Sequence, residues 1–375
     1  MKNKIWLSSP TMNGEECKFI QEAIDTNWVA PMGANIVGFE KDICKYVGAE
    51  YSVAMASGTA AIHMALRYLG VSQGDIVFCQ SLTFSASCNP IIYQNATPVL
   101  IDSEPDSWNM SPEALEKAFK KYTPKAVIVV NLYGVPGKLD EIIDICKKHN
   151  VSVVEDAAES LGALYKGKQT GTLGDFGIFS FNGNKIITTS GGGMLICPDL
   201  DSKKRITKWI TQSRDEAKHY EHSELGFNYR LSNICAGIGR GQILTLDERI
   251  NQKAKNYETY KKAFTDICHI DVNPYLENTK PIFWLSCMVI DKKSNVKPEQ
   301  IIDALEAENI ESRPIWKPMH LQPFFKSCDF FNHNEKEEIS VSEDIFNRGL
   351  CLPSDVKMTD SDIERIINII KGLFK

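Results

Sequence analysis

A lysine set among aromatic and aliphatic residues is the first place to look for chemistry. Lys185 stands in FSFNGNKIITTSGGGM, between an Asn-Gly-Asn turn and three glycines, Gly191–Gly193. Most lysines occupy solvated faces. Phe179, Phe181, Ile186 and Ile187 around this one are expected to desolvate its ammonium and favour the neutral, nucleophilic amine. The glycines let backbone pass close to a ligand where a side chain would collide. The stretch is not a P-loop, because the required glycine–lysine spacing is absent.

Two further stretches supply complementary groups. VSVVEDAAES ends a hydrophobic run in Asp156, with Glu159 three residues on. The carboxyl end of a parallel strand is where open α/β sheets bind ligands, although both acids alone read as solvated loop residues. In SGTAA, Ser57 suits a helix N-cap, and Gly58 and Thr59 open a helix with an apolar stripe of Ile62, Ala65, Leu66 and Leu69. Free N–H groups and hydroxyls there form an anion site, although the stretch alone is an ordinary cap.

The three together point to one cofactor. Pyridoxal 5'-phosphate (PLP) needs a lysine for its aldehyde, a carboxylate for its ring nitrogen and a cradle for its phosphate. Lys185, Asp156 and Ser57–Thr59 fill these needs, and the combination is far more specific than any part. Phe84, in LTFSAS, suits offset stacking on a pyridine ring, or a place in the core. GFNYRLSN brings Asn228, Tyr229 and Arg230 into a turn or an interface. SRPIWKPMH gathers Arg313, Trp316, Lys317 and His320 in a proline-held loop, either a polar substrate pocket or a structured surface. Asn182 and Trp209 complete the candidates for substrate contact. His219 and His222 lie at i, i+3, with no carboxylate–histidine pattern to complete a metal site.

These residues need a frame. Between about residues 50 and 200, short β-branched runs alternate with helical patterns. Strands are expected at Ser52–Met55, Ile76–Cys79, Thr97–Ile101, Ala126–Asn131, Val151–Glu155, Phe176–Phe181 and Gly193–Cys197. Helices are expected at Thr59–Leu69, Pro112–Lys120 and Leu139–His149. Such alternation builds an α/β fold, a mostly parallel sheet with helices on both faces. AVIVVN is apolar at successive positions, as in a strand buried on both sides. A long charged helix from Asp247 to Phe264 then leads into shorter strands and more prolines. This divides the chain into a large unit, residues 1–245, and a smaller α+β unit, residues 246–375.

Bulk properties exclude several classes. The 375 residues are 43% hydrophobic and 24% charged, with a net charge of −6. That is an ordinary globular composition, and no basic block favours nucleic acid. No apolar run reaches the length of a membrane span, and the N-terminal lysines precede no secretory signal. Eleven cysteines without a CxxC pair fit reduced thiols in the cytoplasm. No GxGxxG follows an early strand, which ranks a nicotinamide oxidoreductase last.

The motifs SGTAAIHMAL, LTFSAS, VVEDAAESLGA, GDFGIFSFNGNK, TSGGGM and GFNYRLSN resemble those of the DegT/StrS-type PLP-dependent nucleotide-sugar aminotransferases. The resemblance runs from WLSSPTMNGEE and VAPMG to the C-terminal CLPS. It implies fold type I, aspartate aminotransferase-like, with a three-layer αβα large domain, and a homodimer with shared active sites. It implies that Lys185 carries the cofactor, Asp156 pairs with the ring nitrogen and Phe84 stacks on the ring. Ser57, Gly58, Thr59 and Ser180 would hold the phosphate, with Asn228 from the other subunit. Glu159 stands near the cofactor where many relatives carry Gln or His. Where many relatives read TxGEGG, this chain reads TTSGGG. Dehydratase relatives have histidine in place of the lysine, so Lys185 speaks against that class. NGNK, SGGGM and RPIWKPMH look most like the 4-aminotransferases of the bacillosamine pathway. That likeness implies L-glutamate and a UDP-linked 4-keto sugar as substrates, with a UDP-4-amino-4,6-dideoxy sugar as product. The alternative is a related nucleotide-sugar aminotransferase with another nucleotide or keto position, and a non-catalytic PLP-binding regulator on the same fold ranks below it.

Overall fold

The computed structural model describes residues 3–267 and 269–374. Met1, Lys2, Cys268 and Lys375 lie outside the described residues, among them one N-terminal lysine and one of the eleven cysteines noted above.

The alternating runs form the strands they predict. The first seven elements of the main sheet are β1 (Tyr51–Met55), β2 (Ile76–Gln80), β3 (Thr97–Ile101), β4 (Ala126–Val130), β5 (Ser152–Asp156), β8 (Phe176–Ser180) and β9 (Gly193–Cys197). Two short strands between them, β6 (Leu164–Tyr165) and β7 (Lys168–Gln169), pair with β11 (Thr279–Lys280) in a small separate sheet. The eighth main strand, β14 (Phe330–Phe331), arrives from far down the chain and pairs in parallel with β3. The order is β1-β9-β8-β5-β4-β2-β3-β14. Only β9 runs against its neighbours β1 and β8, so the sheet is mostly parallel, as expected.

Side-chain alternation divides each strand between two cores. Val77, Cys79, Ala126 and Ile128 face one side and join Ala61, Met64 and Ala65 of the helix Gly58–Tyr68. Phe78, Val127 and Val129 face the other and join Leu115 and Ala118 of Pro112–Lys121 and Ile142 of Leu139–Lys148. Helices on both faces satisfy the three-layer expectation. All five residues of β4 are buried, which explains its unbroken apolar run. Truncating Leu66, fully buried in the first of these cores, would cost about 2–5 kcal/mol.

Beyond the helix Leu246–Phe264, a second sheet forms. It comprises β10 (Ile270–Val272), β12 (Ser286–Ile290), β13 (Arg313–Pro314) and β15 (Gly349–Leu352), all antiparallel, in the order β10-β12-β15-β13. Helices Pro298–Ala307 and Asp360–Leu373 pack against it through Ile301, Leu305, Ile363 and Ile366. The chain before β1 also reaches this sheet's neighbourhood, since Ile5 bridges Ile310.

Candidate active site

Strands β1, β2, β5 and β8 point the same way, so the segments after Met55, Gln80, Asp156 and Ser180 gather along one edge of the sheet. They border a cavity of about 590 Å³, whose far wall is Trp284, Leu285, Glu311, Arg313, Trp316 and Cys351. That volume is ample for a cofactor and a small substrate.

Lys185 projects from the turn after β8, with its side chain 12% exposed. Its Nζ lies 3.2 Å from Glu159 Oε1 and 3.9 Å from the centre of the Trp284 ring. The flanking aromatic and aliphatic residues are not its partners. Phe179, Phe181, Ile186 and Ile187 are packed into the core cluster, while the ammonium points into the cavity at a carboxylate. The expectation of an apolar surround is corrected on this point: in a strand and turn, sequence neighbours face away from one another.

Asp156 ends β5, almost fully buried. Its Oδ2 accepts from Ser87 Oγ at 2.7 Å and its Oδ1 from the Ala158 N–H at 3.1 Å. Burial raises its pKa, opposed by these two bonds and by the Lys185 charge. Glu159 is also raised by burial, opposed first by Lys185 and then by the Tyr133 N–H, which donates to Oε2 at 2.7 Å.

Ser57 caps the helix Gly58–Tyr68, its Oγ accepting from the Ala60 N–H at 3.1 Å. Ser57, Gly58 and Thr59 at this helix start line the cavity together with Ser180. Glycine is needed where β9 passes this turn: a Cβ on Gly193 would meet Ser57 C at 2.4 Å and Gly58 N at 2.5 Å. Phe84 is exposed at the mouth, its ring 5.5 Å from that of Trp316.

The model of the DegT/DnrJ/EryC1/StrS aminotransferase family matches residues 10–371. The chain belongs to that family. It is 49% identical to EpsN of Bacillus subtilis, to which a pyridoxal phosphate-dependent aminotransferase activity is ascribed, over 100% of this chain and 97% of the relative. It is 36% identical to GDP-perosamine synthase of Caulobacter vibrioides, over 97% and 96% of the two chains. The fold matches a family aminotransferase from Brucella abortus with a TM-score of 0.87 at 26% identity, covering 96% and 95% of the two chains. It also matches Helicobacter pylori PseC with a TM-score of 0.89 at 21% identity, covering 99% of both. The expectations of fold type I and of a PLP-dependent aminotransferase are borne out by this membership.

In this aminotransferase the cavity gathers Lys185, Asp156, Glu159, Ser57, Gly58, Thr59, Phe84, Ser180, Asn182, Arg313 and Trp316 from the sequence-derived set. The other candidates lie elsewhere in the chain. Asn228 is exposed and bridges Thr211 through its backbone. Trp209 is buried, its Nε1 donating to Glu224 Oε2 at 2.9 Å. Arg230 borders a separate hollow beside Glu40 and Lys203. Lys317 is exposed outside the cavity. His320 pairs with Ser81 Oγ at 2.7 Å and stacks on Phe330 at 3.8 Å, and burial lowers its pKa to about 4.

Sequence reasoning did not find Trp284, Tyr133 or Ser87. Trp284 meets Lys185 across about a hundred residues of chain, and PIFWLSC reads as an apolar run. Tyr133 follows β4, and its hydroxyl accepts the Trp316 N–H at 3.1 Å. Ser87 was visible only as the last residue of LTFSAS.

Proposed function

We propose that this enzyme moves the amino group of L-glutamate to C4 of a UDP-linked 4-keto-6-deoxy-N-acetylhexosamine. The products are a UDP-4-amino-4,6-dideoxy sugar, of the kind used in bacterial glycan and glycoprotein synthesis, and 2-oxoglutarate. The observation that carries the PLP chemistry of this reading is the set of Lys185, Asp156 and the Ser57–Thr59 helix start around one cavity, while the UDP-linked 4-keto sugar rests on the likeness of NGNK, SGGGM and RPIWKPMH to the bacillosamine-pathway 4-aminotransferases.

The residues fit PLP. A free amine, a buried carboxylate with a remaining lone pair and a helix N-terminus with hydroxyls are the donors the cofactor requires. When bound, PLP supplies an electron sink for the carbon that loses its proton. Asp156 would keep a proton on the ring nitrogen, since a positive charge brought beside it favours its ionised form despite burial. Ser57, Gly58, Thr59 and Ser180 would hold the phosphate, and Phe84 would lie against the ring. Lys185 would attach the cofactor, and its amine, once released, would move a proton to and from the substrate carbon.

Among the described residues lining the cavity, the cations are Lys185 and Arg313. With Lys185 engaged by the cofactor, Arg313 is left to meet the carboxylate of glutamate and the diphosphate of the sugar nucleotide. Asn228, exposed in one chain, reaches the phosphate of a partner subunit in a homodimer. No helix among the described residues is long and apolar enough to cross a membrane, in keeping with work in the cytoplasm on water-soluble substrates.

A second nucleotide is favoured by a specific observation, because the relatives include GDP-perosamine synthases at 32–36% identity. Purified enzyme is mixed with glutamate and either the UDP- or the GDP-linked 4-keto sugar, and 2-oxoglutarate is measured. Turnover with the UDP sugar is expected. Turnover with the GDP sugar alone would transfer the assignment, and none with any keto sugar would overturn it.

A further inference from the structure

The indole of Trp284 is held from three sides. Its ring is buried, and its N–H donates to Asn184 O at 2.7 Å, in the turn that presents Lys185. Its own carbonyl accepts from Lys253 Nζ at 2.9 Å. Lys253 is itself buried and also donates to Ser354 O at 2.8 Å, tying the segment to the loop after β15. Ser8 Oγ adds a second bond to Asn184 O, at 2.9 Å.

The backbone is strained to allow this. Phe283, immediately before Trp284, has φ of 47°, a left-handed conformation that a bulky aromatic residue rarely adopts. It is kept there by a parallel stack on Tyr257 at 3.6 Å. The facing turn also needs its glycine: a Cβ on Gly134 would meet Trp284 N at 2.8 Å. Strain maintained by surrounding packing is a pointer to function.

The outcome is an aromatic face 3.9 Å from Lys185 Nζ, with Glu159 Oε1 on the ammonium at 3.2 Å. We propose that Trp284 is the positioning residue for Lys185. Its indole holds the free ammonium against Glu159 whenever the lysine is not joined to the cofactor, and so keeps the amine within reach of the cofactor's aldehyde. A lysine side chain has wide rotamer freedom, and confinement raises the effective concentration of its amine. The ring adds a cation–π attraction that an aliphatic wall does not supply. This inference rests on the PLP reading above.

The test follows attachment directly and not turnover. Full-length protein cleared of cofactor is mixed with PLP, quenched with borohydride at intervals, and the adduct on Lys185 is measured by mass spectrometry. Trp284→Leu is expected to slow adduct formation about five- to tenfold. Trp284→Phe keeps a ring face and is expected within about twofold of wild type. A leucine variant that folds and reacts at the wild-type rate overturns the proposal. So does equal slowing of both variants, which would place the effect in the lost N–H bond to Asn184. If the leucine variant does not fold, the phenylalanine variant decides: a loss beyond about twofold contradicts the role of the ring face. A wild-type chain that forms no adduct on Lys185 would instead end the PLP reading.

Discussion

Lys185 Nζ lies 3.2 Å from Glu159 Oε1, across the boundary between the turn after β8 and the loop after β5. Asp156, three residues before Glu159 at the end of β5, faces the same cavity, each of its oxygens accepting one hydrogen bond, from Ser87 Oγ and from the Ala158 N–H. Two acids three residues apart thus share the space in front of one amine. In the proposed roles, Glu159 meets the lysine and Asp156 the ring nitrogen.

Asp156→Asn separates those roles. The amide keeps the shape and accepts from Ser87, but it cannot balance a positive ring nitrogen. We expect kcat to fall about 10²–10³-fold, with PLP still attached to Lys185. Steady-state rates with glutamate, alongside the visible spectrum, check this. A kcat within a few-fold of wild type would remove Asp156 from the chemistry.

Arg313 should act on charge. Glu311 Oε1 holds its guanidinium at 2.8 Å in the free enzyme, leaving it exposed at the cavity mouth for an incoming anion. Losing a charge-assisted hydrogen bond costs about 1.5–3 kcal/mol. Arg313→Gln is therefore expected to raise KM for glutamate and for the keto sugar roughly tenfold or more. KM for L-alaninamide, an amino donor without a carboxylate, should stay nearly unchanged. Equal losses for donors with and without a carboxylate would contradict an anion contact.

Gly193→Ala tests the phosphate cradle from behind. The new methyl would press on the backbone of Ser57 and Gly58, which cannot yield as a flexible side chain would. A loss of about 1–3 kcal/mol of stability is expected, with weaker PLP binding. Denaturant melts and a PLP titration measure both.

His63 supplies a pH dependence. It is buried on the helix Gly58–Tyr68 among Tyr93, Phe227 and Tyr229, and burial followed by the Arg67 charge lowers its pKa to about 4. Below the ordinary histidine pKa of about 6.5 the unfolded chain binds the proton and the folded chain resists it. Its contribution to stability is thus complete above pH 6.5 or so and is lost as the pH falls towards 4. By about pH 5 the loss is on the order of 1–2 kcal/mol. His63→Phe should lose less stability than wild type between about pH 7 and 5 in paired melts. Identical slopes would contradict the assignment.

Much of this molecule was readable in advance, for physical reasons that also mark where reading stops. Strands β1 to β5, β8 and β9 are short β-branched runs buried on both faces, so pattern alone places them within a residue or two. Asp156 and Lys185 follow strand ends, and a parallel sheet carries such residues to one edge. The reversed direction of β9 and the late arrival of Phe330–Phe331 beside β3 depend on tertiary pairing, which no local pattern encodes. The surroundings of Lys185 were misjudged for the same reason. Its real partners, Glu159 and Trp284, come from other segments, whereas Phe179 and Phe181 turn into the core. Trp316 and His320 share one proline-rich loop, yet Trp316 lines the cavity and His320 is stacked beneath Phe330.

The most direct test of the central claim is the visible spectrum of the purified protein with PLP, before and after L-glutamate. A yellow band is expected that bleaches with glutamate and returns with the correct keto sugar. Lys185→Ala should fold but neither attach the cofactor nor turn over. A colourless wild-type protein that ignores both PLP and glutamate, or a Lys185→Ala variant with full activity, would contradict the account.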